Sequence, residues 1–294
     1  MSKKLKVGVI AREESPTINH ALAGEAKRRG HEFHDISIKQ AEVTHADEVL
    51  DTFDLLSYDV LYYRTCLGFM WSQAVQRYAQ KHGRHIVNLI TLEHPFIERK
   101  TYQAYMAGEH GVPTPKTLID ATQSYEEIVE QIGTPFVAKA DISSQGRDVY
   151  LVDSKESFEE LTKERRPLDL FYQEYIPHDF DCRVHLVGGK PVTSYTRIPA
   201  EGEFRSNVAL GGTMEALTDE EKATVYPLAE KVAQAFDLDL HVVDFLKHRD
   251  TGEFVLAELN SNPGWDKWNK EATGVDMNVL VMDYLEKVAE EEAK

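Results

Sequence analysis

The chain has almost no cysteine. Cys66 and Cys182 are the only two in 294 residues, they lie far apart, and they match neither a zinc nor a Cys-x-x-Cys spacing. That excludes a disulfide framework, a structural zinc site and a thiol redox pair, and both thiols are expected to stay reduced. Long apolar runs are missing too: nothing approaches the roughly 18 uninterrupted apolar residues of a membrane-spanning helix. The run Val7 to Ala11 follows a basic start but stops at Arg12-Glu13-Glu14. This is too short for a signal peptide, so a cytoplasmic protein with no membrane partner is expected. Cationic side chains are in deficit, 33 Lys and Arg against 50 Asp and Glu, for a net charge of −17. The deficit argues against nucleic acid as a partner, because phosphate backbones are bound by Lys and Arg. A nucleotide needs only a local basic pocket and stays allowed. No Gly-x-Gly-x-x-Gly follows the first apolar run, and Gly-x-x-x-x-Gly-Lys-Ser/Thr occurs nowhere, which removes both a Rossmann dinucleotide site and a P-loop. The pairs His31/His34 and His82/His85 sit beside glycine without a third ligand nearby, the pattern of solvated histidines rather than of a metal site.

What is present is a globular composition, 42% hydrophobic and 28% charged, at a length that suits two or three units sharing one body. Strands are expected at Lys6 to Ala11, His31 to Ile38, Tyr58 to Tyr63 and His85 to Ile90, with helices at Asn19 to Arg29 and Met70 to His82 between them. Strands alternating with helices imply a small parallel α/β unit, residues 1–96. A helix over Glu98 to Glu109 ends at Gly111, and Pro113-Thr114-Pro115 cannot continue it. Residues 97–176 then hold strands at Pro135 to Ala140, Val149 to Val152 and Leu170 to Ile176, and a helix from about Ser154. Residues 177–294 hold strands at Asp181 to Val187 and Pro191 to Ile198, a glycine-containing loop from Ala200 to Thr213, and a helix opened by the capping box Thr218-Asp219-Glu220-Glu221. Pro227 should bend that helix or begin a new turn. A last helix, Met277 to Glu291, carries Val281, Leu285 and Val288 as one buried stripe.

His241 to Lys247 and Glu253 to Asn260 flank His248-Arg249-Asp250-Thr251-Gly252, good turn chemistry, and should pair as a hairpin. A register symmetric about Thr251 sets Asp244 opposite Glu258, with Asn260 on the same face. Carboxylates facing at about 4 Å repel by roughly 4 kcal/mol at an effective dielectric near 20. Either they sit solvated at strand ends, or a cation compensates them, and an Asp, Glu and Asn set is what Mg²⁺ prefers. Lys139 follows the apolar Pro135-Phe136-Val137-Ala138, and a buried ammonium needs an anion. The loop Ser143-Ser144-Gln145-Gly146-Arg147 could wrap phosphates with amides and hydroxyls, or be a plain turn. Gln173-Glu174-Tyr175-Ile176 has the form of a strand leaving one unit for the next, or of an ordinary edge strand.

The succession of these residues resembles a family. Lys100, Lys139 with Ser143-Ser144-Gln145-Gly146, Gln173-Glu174-Tyr175-Ile176, Asp181-Cys182-Arg183-Val184, Phe204-Arg205-Ser206-Asn207, Asp244 and Glu258-Leu259-Asn260-Ser261-Asn262-Pro263-Gly264 follow the order of the ATP-grasp superfamily. In particular they resemble the RimK-type, glutamate-ligase-like carboxylate-amine ligases. The likeness runs from Lys100 to the carboxy terminus, and Tyr62-Tyr63-Arg64 resembles the third-strand end of that family's preceding domain. It implies a parallel α/β amino-terminal domain followed by a two-lobed ATP-grasp fold of α/β and α+β class. By the same likeness ATP lies between the lobes, with Lys100 and Lys139 on its phosphates and Ser143, Ser144, Gln145 and Gly146 as a lid. Gln173, Glu174, Tyr175 and Ile176 form the adenine hinge, Asp181 holds the ribose, Asn207 joins the nucleotide contacts, and Leu256, read as sharing Glu258's face, floors the adenine. Asp244, Glu258 and Asn260 carry two Mg²⁺ ions, for which Mn²⁺ could substitute.

The implied chemistry is attack of a substrate carboxylate on the γ-phosphoryl of ATP, then attack of an amine on the acyl phosphate. Lys139 assists the phosphoryl transfer, and Arg183 and Arg205 stabilise the oxyanion and departing phosphate; read as residues alone, the two arginines could equally be surface ion pairs of an acidic protein. The expected partners are an amino acid such as glutamate and a small-molecule, peptide or protein-tail carboxylate. A homo-oligomer is left open. The sequence departs from the family at Ser143 and Asp148, where relatives often place glycine, and at Trp265-Asp266-Lys267-Trp268-Asn269-Lys270, which replaces small and aliphatic residues near the acceptor pocket. The alternatives are a dipeptide or glutathione-synthetase-like ligase of free amino acids, and an ATP-binding regulatory protein without turnover.

Overall fold

The computed structural model describes residues 3–11, 16–38, 43–64, 69–119, 124–143, 148–198, 213–261, 263–265 and 267–293. Three sheets divide them. The first contains β1 (Lys6–Ile10), β2 (Glu32–Ile36), β3 (Val60–Tyr63) and β4 (Ile86–Val87), with α1 (Pro16–Arg28), α2 (Ala46–Asp51) and α3 (Phe69–Lys81) interleaved. Its order is β2-β1-β3-β4 and every pairing is parallel. Val7, Val9 and Ile10 are fully buried, as expected of a parallel strand covered on both faces. Gly8 admits no side chain, because a Cβ there would lie 2.8 Å from Ile36, Leu61 and Tyr58.

Next come α4 (Lys100–Glu109), β5 (Thr117–Leu118), α5 (Tyr125–Ile132), β6 (Phe136–Ala140), β7 (Val149–Val152), α6 (Lys155–Glu164) and β8 (Leu170–Glu174). The second sheet runs β5-β8-β6-β7, all antiparallel. Phe136, Tyr172 and Phe158 fill its own small core with Ile128 and Leu161. Helix α5 is opened by a Ser124–Glu127 capping box, whose Ser-x-x-Glu pattern stands in the sequence.

The remaining elements are β9 (Asp181–Val187), β10 (Lys190–Ile198), β11 (Thr213–Ala216), α7 (Asp219–Phe236), β12 (Leu240–Lys247), β13 (Phe254–Asn260), α8 (Lys267–Thr273) and α9 (Met277–Glu292). The third sheet is antiparallel, ordered β11-β10-β9-β12-β13. Thr218 caps α7 through the reciprocal bonds to Glu221, and the helix runs through Pro227. Ile97, Ala107 and Val112 bury with Val184, Val243 and Phe245, so α4 precedes the second sheet in sequence but packs in the core of the third. Helix α9 in turn leaves the third sheet for the first. Val281, Met282, Leu285 and Val288 bury against Val7, Val9, Val60 and Tyr62. Arg29 to Asp283 at 2.6 Å and His31 to Glu286 at 2.7 Å flank that seam. His31 is therefore buried and paired, which corrects its expected solvation: it lies where α9 closes over the sheet.

The hairpin register matches the symmetric expectation only at its far end. Asp244 pairs with Glu258 and Val242 with Asn260, but Phe245 pairs with Leu256 and Leu246 with Val255. One extra residue, Ala257, sits in β13 as a bulge. Rules of alternation fail across a bulge, so Leu256 does not share the face of Glu258. It points with Phe245, Val243 and Leu259 into the opposite core, which corrects its placement beneath an adenine. Among the described residues no helix is long and apolar enough to cross a membrane. Burial pushes the Cys182 thiol well up, so it stays protonated and inert; Cys66 lies outside the described residues.

Candidate functional site

One face of the third sheet is charged. Glu258 on β13, Asp244 on β12, Arg183 on β9 and Tyr195 on β10 are successive cross-strand neighbours, and Asp181 and Arg197 form the adjoining row. Arg183 donates from Nε and Nη2 to the two Asp244 oxygens at 2.8 and 2.6 Å. Arg197 clasps Asp181 in the same way at 2.6 and 2.7 Å and reaches Asp244 Oδ2 at 3.1 Å. All of this is nearly buried, so the charges must be compensated locally. Burial alone would push Asp244 up, but Arg183 and Arg197 outweigh it and hold the carboxyl at about 2. At Asp181 burial wins over the opposing Arg197, with Asp244 adding to the rise and Arg183 opposing it, and the carboxyl is pushed up to about 6.

This arrangement corrects the electrostatic argument made from the sequence. The facing carboxylates are not left to repel until a metal arrives, because the protein supplies cations to each. Asp244 has its arginines, and Glu258 meets Lys100 Nζ at 3.3 Å. Asp244 is therefore foremost the anion of a buried ion-pair network, and any metal would share its oxygens with two guanidinium groups. Arg183 is likewise engaged by Asp244, and Asp181 by Arg197, before either meets a substrate or a ribose. Arg197, two residues from Tyr195 on the same strand face, was missed. Its signal in the sequence was the alternation of β10.

The second part of the site lies where the two later sheets meet. Lys100 begins α4 and donates to the Ser143 carbonyl at 2.7 Å. Lys139 on β6 donates to Gln173 Oε1 on β8 at 2.7 Å, and Gln173 is fixed in turn by Thr117 Oγ1 at 2.9 Å. Asp141, also missed, holds the two elements together. Its Oδ1 accepts from the Thr101 amide and hydroxyl at 3.0 and 2.9 Å, capping α4 from outside the helix. Burial pushes Lys139 down to about 8; nearby Glu258 opposes that shift and Lys100 adds to it. The Lys139 ammonium thus bonds a neutral amide where an anion would serve better. Two lysines and one carboxylate converge here, and the Glu258 side chain is 38% exposed.

The hinge residues are partly engaged: the Glu174 amide donates to the Lys116 carbonyl at 2.9 Å, and the Ile176 carbonyl accepts from His178 Nδ1 at 2.7 Å. Ile176 is buried while Tyr175 is partly open. Ser144, Gln145, Gly146, Arg205 and Asn207 lie outside the described residues. Among the described residues no three His, Cys, Asp or Glu side chains form a metal-binding group. The donors that fit a hard cation are the half-exposed Glu258 and, on the same strand face, Asn260. His185, on this charged face beside Asn269 Nδ2 at 3.3 Å, is pushed down to about 3 by burial and stays neutral.

A five-stranded antiparallel lobe, a four-stranded lobe and a parallel amino-terminal sheet define the ATP-grasp class. The D-alanine–D-alanine ligase of Bacillus anthracis superposes with a TM-score of 0.70 at 16% identity, over 98% of this chain and 99% of that one. Residues 99–285 match the model of the RimK-like ATP-grasp domain, and the chain belongs to that family. Among its relatives, the "Probable alpha-L-glutamate ligase" of Aliivibrio fischeri (strain MJ11) is 28% identical over 97% of this chain and 96% of its own length. The "Beta-citrylglutamate synthase B" of Danio rerio is 31% identical over 72% of this chain and 53% of its own. The family consists of carboxylate-amine ligases that use ATP with divalent metal ions.

A phosphate placed beside Lys139 would lift its pKa from about 8 toward the ordinary 10.5. Binding then takes up a proton at alkaline pH, and affinity falls as pH rises above about 8, because a neutral amine must first be charged. Titration calorimetry of ATP in two buffers of different ionisation enthalpy should detect that uptake in the wild type. Its persistence in Lys139→Met would remove Lys139 from the phosphate contacts.

Proposed function

We propose that this protein joins the amine of an amino acid, glutamate in the first instance, to a carboxylate on a small molecule, a peptide or a protein tail. The observation that carries the reading is the convergence of Lys100, Lys139 and Glu258 between the two lobes, where the partly buried Lys139 ammonium bonds a neutral amide, its hydrogen-bond partner among the described residues. The carboxylate oxygen attacks the γ-phosphorus of ATP and ADP leaves, giving an acyl phosphate. The amine nitrogen then attacks the acyl carbon, phosphate departs, and the amine gives up a proton. Lys100 and Lys139 offset charge on the transferring oxygens. Glu258 and Asn260 would hold Mg²⁺, with Asp244 sharing an oxygen, and the ion would supply further positive charge to the phosphoryl group. The hinge at Gln173 to Ile176 is the proposed adenine contact. Asp181 is proposed for the ribose, with Arg197 holding its carboxylate in place. Arg183 positions Asp244, and Arg205 is the proposed donor to the departing phosphate.

Phosphate release should be screened with L-glutamate and ATP against citrate, glutamate-ended peptides and protein tails, with mass spectrometry of the product. Release requiring both an amino acid and an acceptor supports the reading. Release with two free amino acids alone would make the protein a dipeptide ligase, and ATP binding without release under every mixture would make it a nucleotide-binding regulator.

A further inference from the structure

Arg64 follows β3 directly, at the carboxyl end of the parallel sheet, and its amide donates to the Ile10 carbonyl at the end of β1. That edge of a parallel sheet is where ligands of open α/β folds bind. The side chain is 4% exposed. Its Nη2 donates to the Pro263 carbonyl at a long 3.3 Å, and Nε and Nη1 have no hydrogen-bond partner among the described residues. No ion pair joins it to an acidic group among the described residues, whereas the buried Arg183 and Arg197 each face carboxylates. One face of the guanidinium lies 4.7 Å over the ring of Trp265. That ring is itself buried and fixed by Nε1 donating to Asn278 Oδ1 at 2.9 Å. Stacking leaves the donor edges of the guanidinium for something else. An arginine kept only for packing would be replaced to advantage by an apolar side chain of similar volume. A buried permanent cation with unused donors is instead a site that awaits an anion.

We propose that Arg64, stacked on Trp265, receives a non-reacting carboxylate of a substrate. The planar fork of guanidinium donors matches a planar carboxylate. Pro263 and Trp265 continue the chain that leaves Asn260, so the anion is held at the end of the strand that carries Glu258. This deepens the ligase reading and rests on it for the identity of the substrate. It also accounts for Trp265, at which the sequence departs from the family.

The test uses Arg64→Met and Arg64→Lys in the full chain. Thermal melting is recorded in sodium glutamate and sodium glutarate against sodium chloride at equal ionic strength, without nucleotide. The carboxylates should raise the wild-type melting temperature more than that of Arg64→Met. Equal shifts in the two proteins overturn the proposal, whatever the melting point of the variant. In turnover, Arg64→Lys should raise the KM of one substrate by roughly tenfold to a hundredfold, as loss of charge-assisted hydrogen bonds implies. Nucleotide affinity should be unchanged. A rise confined to the amino acid assigns its α-carboxylate to Arg64, and a rise confined to the acceptor assigns the acceptor's spare carboxylate. If the wild type releases no phosphate with any mixture, the ligase reading fails, while the melting comparison still decides whether Arg64 binds a carboxylate.

Discussion

Asp244→Asn should lower the free energy of unfolding by about 3–5 kcal/mol, the usual result of removing one partner from a buried, hydrogen-bonded ion pair. The loss arises because Arg183 and Arg197 remain buried with less negative charge than they had. Nearly all of Asp244 is out of solvent, and three donor contacts from the two arginines converge on its oxygens. Urea unfolding measures the change, and an unchanged midpoint would mean that the network contributes little. The wild type offers a parallel check in its acid response. Asp244 is held down at about 2, so its contribution is full above the ordinary aspartate range and is lost as pH falls from about 4 through about 2. Asp181 works in the opposite sense, because a raised carboxyl binds its proton more readily in the folded protein and weakens the fold as pH rises through about 6. Activity should fall in Asp244→Asn as well, so the stability measurement is what separates an ion-pair role from a purely metal-binding one.

Glu258→Gln should leave the fold nearly intact and reduce phosphate release by roughly a hundredfold to a thousandfold, the scale on which loss of one electrostatic stabiliser is felt. The side chain is 38% exposed and its partner Lys100 keeps the bond to Ser143, so the change in stability should stay below about 1 kcal/mol. Glutamine preserves the shape and removes the charge that draws both lysines and a cation to this point. Full activity in the variant would take Glu258 out of the site. An activity loss accompanied by unfolding would move it from chemistry to structure.

Much of this was legible from residues alone, for reasons that can be named. The Thr218–Glu221 box fixed the start of α7 because both reciprocal bonds lie within one helical turn. The opposition of Asp244 and Glu258 followed from turn chemistry and the two-residue period of a strand. The parallel sheet followed from alternation of apolar runs with helices. What stayed hidden depends on partners far apart in the chain. Arg197 reaches Asp181 and Asp244 from another strand, and no local pattern announces that the repulsion between carboxylates is already answered. Ala257 shifts the register by one residue, and an alanine in a strand gives no sign that it is a bulge. His31 looked solvated because Glu286, its partner, is 255 residues away. Helix α8 is short and polar, and no apolar period in it announces an element. Arg64 could be placed at the end of its strand, but that its donors go unused is a fact of packing.

The crossing of α9 to the first sheet has a consequence for how the protein comes into being. A ribosome releases β1, β3 and their helices before α9, yet one wall of that sheet is made by α9. Until α9 is made, Val7, Val9, Val60 and Tyr62 lack the wall that covers them, a surface that invites unwanted association. The acidic character of the chain, at a net charge of −17, keeps such half-built molecules apart by repulsion. The parallel sheet is thus made before α9 and finished only after it, and its edge, where Arg64 stands, takes final form only when Trp265 and α9 arrive.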